Sequence, residues 1–152
     1  PEARVQEKTM LIPGIDGQKM SKSRNNTINI FLDDKALRKQ IMSIETDSTP
    51  LEAPKNPDTC NVFALYKILA TPEQLGAMRK NYENPDGNYG YGHAKQALYD
   101  LIVTRFSEIR EKYHHYMSHP QEVDTLLLEG AAKASAVANS VLARVRQKLG
   151  FA

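Results

Sequence analysis

The pattern of apolar residues changes near residue 33. Beyond that point, apolar side chains recur every three or four residues, a spacing that predicts amphipathic α-helices. Asp33 or Asp34 can cap the first of these helices, and its apolar face would then carry Leu37, Ile41 and Ile44.

Two further helices are predicted in the middle of the chain. One lies near residues 60–70 and stops at Thr71-Pro72-Glu73-Gln74. That quartet is a capping box with proline at the first helical position, so it predicts the start of another helix that reaches about Tyr82. The glycines and the proline between Asn84 and Gly92 predict a loop after it.

The last part of the chain carries two longer apolar stripes. One helix is predicted from His93 to about Met117, with a stripe formed by Ala94, Leu98, Ile102, Phe106, Ile109, Tyr113 and Met117. His119-Pro120 starts the last helix, which Gly150 is placed to end. Within that helix, Gly130 and Ala134 are small enough for a neighbouring helix to approach closely. Together these segments predict a mainly α fold, a helical bundle.

Residues 1–30 follow a different pattern. Val5 and the run Met10-Leu11-Ile12 are strand-like, and Pro13-Gly14 and Asp16-Gly17 are turn signals. Two or three short strands cannot bury the apolar face of a sheet by themselves. We therefore expect this segment to need a sheet from elsewhere or to pack on the helices, and we predict two domains, 1–30 and 31–152.

Composition excludes several classes of protein. The chain has 152 residues, of which 41% are hydrophobic and 25% charged, which is ordinary globular usage. No apolar run is long enough to predict a membrane span. The single cysteine, Cys60, excludes a disulfide framework and indicates a reducing compartment, so a cytoplasmic protein is expected. The first residue is Pro1, which leads us to expect a part of a longer protein.

The charge is unevenly distributed. Residues 1–44 hold eight Lys/Arg and five Asp/Glu, a net +3, whereas residues 45–152 hold twelve and thirteen, a net −1. Lys19, Lys22 and Arg24 form the most basic stretch. It could attract a polyanion, and the alternative is a solvated basic loop.

The pentapeptide Lys19-Met20-Ser21-Lys22-Ser23, called here the signature loop, favours the interpretation that this stretch binds a polyanion. Two ammonium groups three residues apart can bracket a phosphate chain and follow charge as it moves onto a leaving group. The hydroxyls of Ser21 and Ser23 add donors to phosphate oxygens. The loop is not rich in glycine, so it would close over phosphates instead of wrapping them.

The signature loop resembles that of class I aminoacyl-tRNA synthetases, and the surrounding residues narrow the resemblance to the tryptophanyl-tRNA synthetase family. The similar segments cover essentially the whole chain: Ala3-Arg4-Val5, Ser23-Arg24-Asn25-Asn26, Thr46-Asp47-Ser48, Gly90 to Lys95, Tyr113-His114-His115 and Glu129 to Ala134. The resemblance implies the end of an α/β nucleotide-binding domain followed by a helical anticodon-binding domain. It also implies the C-terminal part of a tryptophan-tRNA ligase.

The resemblance implies roles for the loop. Lys22, and with it Lys19, would stabilise the pyrophosphate that leaves when the amino-acid carboxylate attacks the α-phosphate of ATP. Ser21 and Ser23 would bind ATP, and the backbones of Met20 and Val5 would lie near the adenine. ATP and Mg²⁺ would be substrates of the intact enzyme, with no bound prosthetic group. The family's His-x-Gly-His-type motif is absent from this sequence, so the chain alone is not expected to activate tryptophan.

In the same family the helical domain reads the anticodon, which implies tRNA-Trp as a partner. The candidate contacts are Lys95, which follows the glycine loop, and four residues on exposed helix faces: Arg105, Arg110, Arg144 and Lys148. For each of them a solvated helix face is the alternative. Tyr113 and Tyr116 could stack on a base, although core packing is favoured for Tyr113. The parent family forms homodimers, and a monomer is expected for this chain.

Three other features are interpreted as structural. His115 and His119 lie four residues apart and could pair on a helix face to bind a metal. Pro120 is expected to interrupt that helix, and no cysteine or carboxylate completes a site, so no metal is predicted. Cys60 is expected to be a buried structural residue, and Gly90-Tyr91-Gly92 a turn before a helix.

Two hypotheses of different class remain. The first is an enzyme part that carries the signature loop and the anticodon-binding helices, and it predicts that residues 1–30 are poorly packed. The second is a free-standing helical RNA-binding or regulatory module derived from a synthetase, and it predicts that the N-terminal segment docks compactly.

Overall fold

The computed structural model describes residues 11–85 and 87–151. The strand predictions at Val5 and Met10 lie outside these residues. The chain divides into two compact units, Pro1–Ser107 and Glu108–Ala152, and each is described by itself. No helix in the described part is both long and apolar enough to cross a membrane.

The first unit is built on four helices: α1 (Asp34–Met42), α2 (Asn61–Leu69), α3 (Pro72–Glu83) and α4 (Tyr91–Arg105). Helix α4 packs on both α1 and α2. Their buried apolar faces form a single core, which contains Leu37, Ile41, Ile44, Val62, Phe63, Leu65, Met78, Tyr82, Ala94, Leu98 and Ile102. The predicted apolar face of the first helix is confirmed, because all three of its residues belong to this core.

The predicted helix starts are confirmed by their capping bonds. Asp33 Oδ1 accepts a hydrogen bond of 2.8 Å from the backbone N–H of Ala36. At the next start, Gln74 N–H donates to Thr71 Oγ1 at 3.3 Å and Thr71 N–H donates to Gln74 Oε1 at 2.9 Å. The reciprocal pair satisfies two donors that the first turn of a helix otherwise leaves unpaired.

Residues 11–32 dock on the helices without forming a strand. The only pairing in that segment is an isolated antiparallel bridge between Pro13 and Lys19. Gln40 of α1 holds the segment at two points: its Nε2 donates to Thr27 O at 2.7 Å, and its Oε1 accepts from Asn29 N–H at 2.9 Å. Further apolar side chains of the segment pack against the core: Ile15, Ile28, Ile30 and Leu32.

The extended reading of Leu11 and Ile12 is therefore wrong as a strand prediction. Neither residue pairs with a strand in the described part of the chain, and their side chains are 57% and 38% exposed. An alternating pattern becomes a strand only when a neighbour supplies hydrogen bonds.

The proline-rich linker between α1 and α2 is organised by a buried lysine. Lys55 is 4% exposed, and its Nζ donates to the carbonyls of Pro50, Leu51 and Ala53 at 3.0, 3.1 and 2.9 Å. The ammonium also lies 5.6 Å from the centre of the Tyr91 ring, a cation–π distance. Three carbonyls and one aromatic face replace the water that this charge loses on burial.

The single long helix predicted over residues 93–117 is two helices. Helix α4 ends at Arg105 and α5 (Ser107–Ser118) begins after Phe106, whose backbone leaves the helical region with φ −109° and ψ 13°. The Ser107 hydroxyl donates to the carbonyl of Thr104 at 3.2 Å, a local bond that competes with the helical pattern. No glycine or proline marks this position, and the apolar repeat continues through it. The sequence pattern therefore did not predict the break.

The second unit contains most of α5 and all of α6 (Pro120–Leu149). Gly150 ends α6 with φ 76°, and Phe151 N–H donates to Arg146 O at 2.9 Å, which confirms the predicted C-cap. No residue of α6 is buried, and a Cβ at Gly130 would meet nothing within 4 Å. Within residues 108–151, no helix makes the close approach that the small residue Gly130 would permit. The mainly α fold itself is confirmed.

Candidate phosphate-binding loop and helical surface

A tight turn leads into the signature loop. Gly14 N–H donates to Gln18 O at 2.7 Å, and Gly17 occupies the left-handed region with φ 73°. Met20 N–H then donates to Ile12 O at 2.8 Å, which closes the two arms of the turn. The glycine of the Asp16-Gly17 signal is needed for this backbone conformation, since a Cβ is strained there.

The signature loop continues into a short 3₁₀ turn at Lys22–Arg24. Arg24 N–H donates to Ser21 O at 3.3 Å and Asn25 N–H to Lys22 O at 3.1 Å. Asn25 ends the turn in the left-handed region with φ 53°. The hydroxyls of Ser21 and Ser23 lie 2.7 Å apart, so the two predicted phosphate donors are brought together on one side of the turn.

Asn26 holds this loop in place, and sequence reasoning assigned it no role. Its side chain is 2% exposed, and its Oδ1 accepts from Ser21 N–H at 2.8 Å. Its Nδ2 donates to Lys19 O at 3.2 Å and to Asp16 Oδ1 at 2.8 Å. One buried amide therefore fixes both ends of the Lys19–Ser21 segment and ties them to the preceding turn. A Cβ on Gly14 would overlap Asn26, so the glycine of Pro13-Gly14 makes room for it.

The hydrogen bond from Asn26 lowers the pKa of Asp16 below its usual value. Burial opposes this shift, and the charge of Arg24 adds a smaller lowering effect. Asp16 is thus a carboxylate at neutral pH, and it accepts from the Asn26 side chain and from Gln18 N–H at 3.0 Å. In the sequence, the only hint of this network is the pair of asparagines, Asn25-Asn26, that follows the loop.

The structure leaves the basic side chains of the loop available to a ligand. Lys19, Lys22 and Ser23 are exposed, and neither ammonium forms a salt bridge within residues 11–85 and 87–151. The amides of Met20 and Ser21 are already bonded internally. A phosphate would therefore meet two mobile positive charges and two hydroxyls, a set suited to charge stabilisation without covalent chemistry. The predicted adenine contact at Val5 lies outside the described residues.

Met20, between the two polar halves of the signature loop, faces an apolar cavity of about 190 Å³. Residues of the docked segment, of α2 and of α4 with its C-cap line the cavity with it: Ile12, Ile28, Ile30, Leu65, Ile68, Leu69, Leu98, Ile102 and Phe106.

Two of the predicted RNA contacts are not freely exposed. The Lys95 ammonium donates to the carbonyl of Met42 at 3.0 Å, and desolvation lowers its pKa. It therefore serves the C-terminal end of α1, where cations are favoured. Arg110 is only 7% exposed, so its placement on an exposed face is wrong. A helical period places a residue on a face but does not say which neighbours cover that face.

The other three predicted RNA contacts are exposed. Arg105 lies in the last turn of α4, and Arg144 and Lys148 lie one turn apart near the end of α6. Tyr113 and Tyr116 of α5 are 38% and 42% exposed, so core packing of Tyr113 is not observed.

The interpretation of Cys60 as a buried structural residue is confirmed. Its Sγ lies 3.4 Å from Tyr82 Oη, and burial raises the pKa of that tyrosine above its usual value. The turn predicted over Gly90-Tyr91-Gly92 is wrong in extent, because only Gly90 precedes α4, where its N–H donates to His93 Nδ1 at 3.1 Å, and Tyr91 and Gly92 already belong to the helix.

Comparisons with known proteins give the chain's relatives. A family model described as tRNA synthetases class I (W and Y) matches residues 2–107. The chain is 42% identical to the tryptophan–tRNA ligase of Campylobacter jejuni over 151 residues, which are 99% of this chain and 47% of that protein. It is 40% identical to the tryptophan–tRNA ligase of Fusobacterium nucleatum, again over 99% of this chain and 46% of the relative.

A solved structure shows the same likeness. The crystal structure of the Campylobacter jejuni tryptophanyl-tRNA synthetase, complexed with ADP and tryptophan, superposes with a TM-score of 0.89 at 42% identity. It covers 99% of this chain and 46% of that one, so the chain spans about half the length of the relatives it matches. The chain belongs to the tryptophan and tyrosine family of class I tRNA synthetases.

Proposed function

We propose that this chain supplies the phosphate-binding signature loop and the tRNA-binding helices of a tryptophan–tRNA ligase. The intact enzyme would form tryptophanyl-adenylate from tryptophan and ATP, with Mg²⁺ and with release of pyrophosphate, and would then transfer the tryptophanyl group from AMP to tRNA-Trp. One observation carries the proposal: Lys19 and Lys22 stand exposed on a loop that the buried side chain of Asn26 holds in one shape.

The geometry supports a charge-stabilising role for Lys22 and Lys19. When the tryptophan carboxylate attacks the α-phosphate, the bond to pyrophosphate breaks and negative charge accumulates on the leaving group. Ammonium groups at that position lower the energy of the transition state more than that of bound ATP. The Ser21 and Ser23 hydroxyls would orient the phosphate oxygens, and the protein would form no covalent intermediate.

The test is a lysine substitution in the protein that also contains the tryptophan and ATP pockets. We expect Lys22→Ala to lower the rate of tryptophan-dependent ATP–pyrophosphate exchange by about 10² to 10³ in kcat, with a much smaller rise in KM for ATP. Lys35→Ala, an exposed lysine in the first turn of α1, is the matched control and should be neutral. Equal losses in kcat and in ATP affinity would refute the transition-state role.

We expect the 152-residue chain alone to be inactive in amino-acid activation. It spans about half of its relatives and lacks a His-x-Gly-His motif. Quenched-flow measurement of tryptophanyl-adenylate from the isolated chain tests this directly. Adenylate formation at turnover rates typical of enzymes would overturn the proposal.

For tRNA the exposed cations Arg105, Arg144 and Lys148 remain the proposed contacts, whereas Lys95 and Arg110 serve the fold. Replacing one phosphate-contacting cation should weaken binding and reduce the slope of log K against log salt by about one. Titration of fluorescent tRNA-Trp with each alanine variant at several salt concentrations measures both quantities. An unchanged slope for all three variants would remove them from the interface.

A second function is favoured by one finding. The compact docking of residues 11–32 is what a free-standing RNA-binding or regulatory module predicts. Tight, salt-dependent binding of tRNA by the isolated chain, without any activation chemistry, would support that alternative. Failure of the isolated chain to bind tRNA would leave the enzyme part as the sole proposal.

The proposed function also sets the expected assembly and location. A tryptophan–tRNA ligase of this family would act in the cytoplasm as a homodimer, and we expect this chain by itself to be a monomer. Sedimentation velocity of the chain distinguishes the two states.

A further inference from the structure

A cluster of two imidazoles and a carboxylate lies at the junction of α5 and α6, within the second unit. His115 lies in α5, His119 is the residue before α6, and Glu122 lies in the first turn of α6. One ligand atom from each of the three lies within 4.8 Å of the other two. All three side chains are exposed, so an ion in solvent can reach them.

The junction itself brings these residues together. The helix stops at Ser118 and starts again at Pro120, so Glu122 comes back beside the preceding turn. His115 Nε2 lies 2.8 Å from Glu122 Oε2, and the rings of His115 and His119 stack with centroids 4.4 Å apart. In the sequence, no carboxylate was found to complete a site with the two histidines, whereas the structure places Glu122 beside His115 because the helix restarts at Pro120.

The tautomer of His119 is already set for metal binding. Its Nδ1 lies 2.8 Å from the carbonyl oxygen of His115. A carbonyl can only accept, so the proton resides on Nδ1 and the lone pair resides on Nε2. A histidine that ligates a metal commonly donates its other ring N–H to a backbone carbonyl in this way.

We propose that His115 Nε2, His119 Nε2 and one Glu122 carboxylate oxygen bind a zinc ion, with water as the fourth ligand. Two nitrogens and one oxygen with an open position form a donor set that Zn²⁺ accepts in tetrahedral geometry. Zinc–ligand bonds of about 2.0–2.2 Å place neighbouring donors roughly 3.3 Å apart. The 2.8 Å pair needs to open slightly and the stacked rings need to turn, which exposed side chains can do.

Zinc would give this junction a stability that the side chains alone do not supply. Without metal, the exposed His115–Glu122 pair contributes little, because both partners are about half exposed and solvated. An ion shared by α5 and α6 would fix the angle of the chain at Ser118–His119. The consequence would be structural, since no described element places a substrate beside the ion.

Calorimetric titration of the 152-residue chain with zinc chloride tests the proposal. We expect binding of one ion per chain in the micromolar range. His119→Ala and Glu122→Gln should each weaken it by about tenfold or more. His114→Ala is the matched control, because His114 is an exposed histidine next to His115 that is not in the cluster. This variant should bind zinc like the parent chain.

Cobalt(II) substitution supplies a readout of geometry. The visible absorption of tetrahedral Co²⁺ should appear with the parent chain and with His114→Ala, and it should be lost with His119→Ala. Circular dichroism confirms that each variant keeps its helices. Failure of the parent chain to bind zinc, or equal weakening by His114→Ala and His119→Ala, would overturn the site.

Discussion

Replacing Asn26 with alanine removes the side chain that holds the signature loop. Three hydrogen bonds are lost: from Ser21 N–H at 2.8 Å, to Lys19 O at 3.2 Å and to Asp16 Oδ1 at 2.8 Å. A hydrogen bond contributes about 1 kcal/mol net, and more when the remaining partner stays buried and unpaired. Ser21 and Asp16 are partly exposed, so water can replace the amide there, and we expect a total loss of about 3 kcal/mol in the stability of the loop.

Hydrogen exchange measures this loss where it occurs. A change of about 3 kcal/mol corresponds to roughly a hundredfold fall in an equilibrium constant. Protection of the Ser21 amide should therefore fall by about that factor, whereas amides in the centre of α1 should change little. Gln18→Ala is the control, because this residue is exposed on the same turn and the bonds that the structure shows for it, at its N–H and its carbonyl, are backbone bonds that alanine keeps.

Asn26→Asp sharpens the test. The aspartate keeps an acceptor for Ser21 N–H but turns a second oxygen toward Asp16 Oδ1 and Lys19 O, where Asn26 donated. At neutral pH it should open the loop at least as much as alanine does, because two carboxylates then face each other. Ser21 protection in Asn26→Ala that stays within about twofold of the Gln18→Ala value would refute the reasoning.

Four further substitutions, of which Gly76→Ala is a comparison for Gly14→Ala, test interactions within the first unit. Lys55→Ala should cost about 3 kcal/mol in urea unfolding, because three carbonyls lose a charged donor, and a loss below about 1 kcal/mol would contradict this. Gly14→Ala should cost about 1–3 kcal/mol through overlap with Asn26, whereas Gly76→Ala in α3, where a Cβ meets nothing, should stabilise by about 1 kcal/mol; equal effects would be inconsistent with the overlap. Burial, aided by the 2.7 Å bond to Asp47, raises the pKa of Tyr91 from 10.0 to about 12. Its stabilising contribution is therefore complete below pH 10 and lost as the pH rises to about 12, and Tyr91→Phe should flatten this part of the stability profile; an unchanged slope would exclude Tyr91 as a cause.

The sequence predicted helix ends correctly where the capping hydrogen bonds join residues that are close together in the chain. The Thr71–Gln74 capping box and the Gly150 cap depend on residues within one or two turns, and both are found as predicted. The break at Phe106 has no such signal. Apolar periodicity continues through it, and periodicity alone does not say whether the apolar stripe is buried.

At the candidate site, too, contiguous features were predictable from the sequence and contacts between distant residues were not. The signature loop was recognisable because its residues are contiguous, but the residue that holds it, Asn26, acts through bonds to Asp16 ten positions away. Arg110 was placed on an exposed helix face, although it is buried, because helical spacing does not report what covers a face. Glu122 lies close to His115 because the helix restarts at Pro120. The spacing of residues in the sequence does not reveal the direction that the backbone takes there.

Helix α6 has a consequence for how the chain loses its structure. Its 30 residues would span about 45 Å, yet none of them is buried, so tertiary packing adds little to its free energy. A helix that depends mainly on its own backbone bonds is only marginally stable and melts gradually from its ends. Thermal denaturation of this chain should therefore lack a single cooperative transition. Helical signal should decline before the tyrosines of the core report unfolding, and one midpoint temperature would describe neither event.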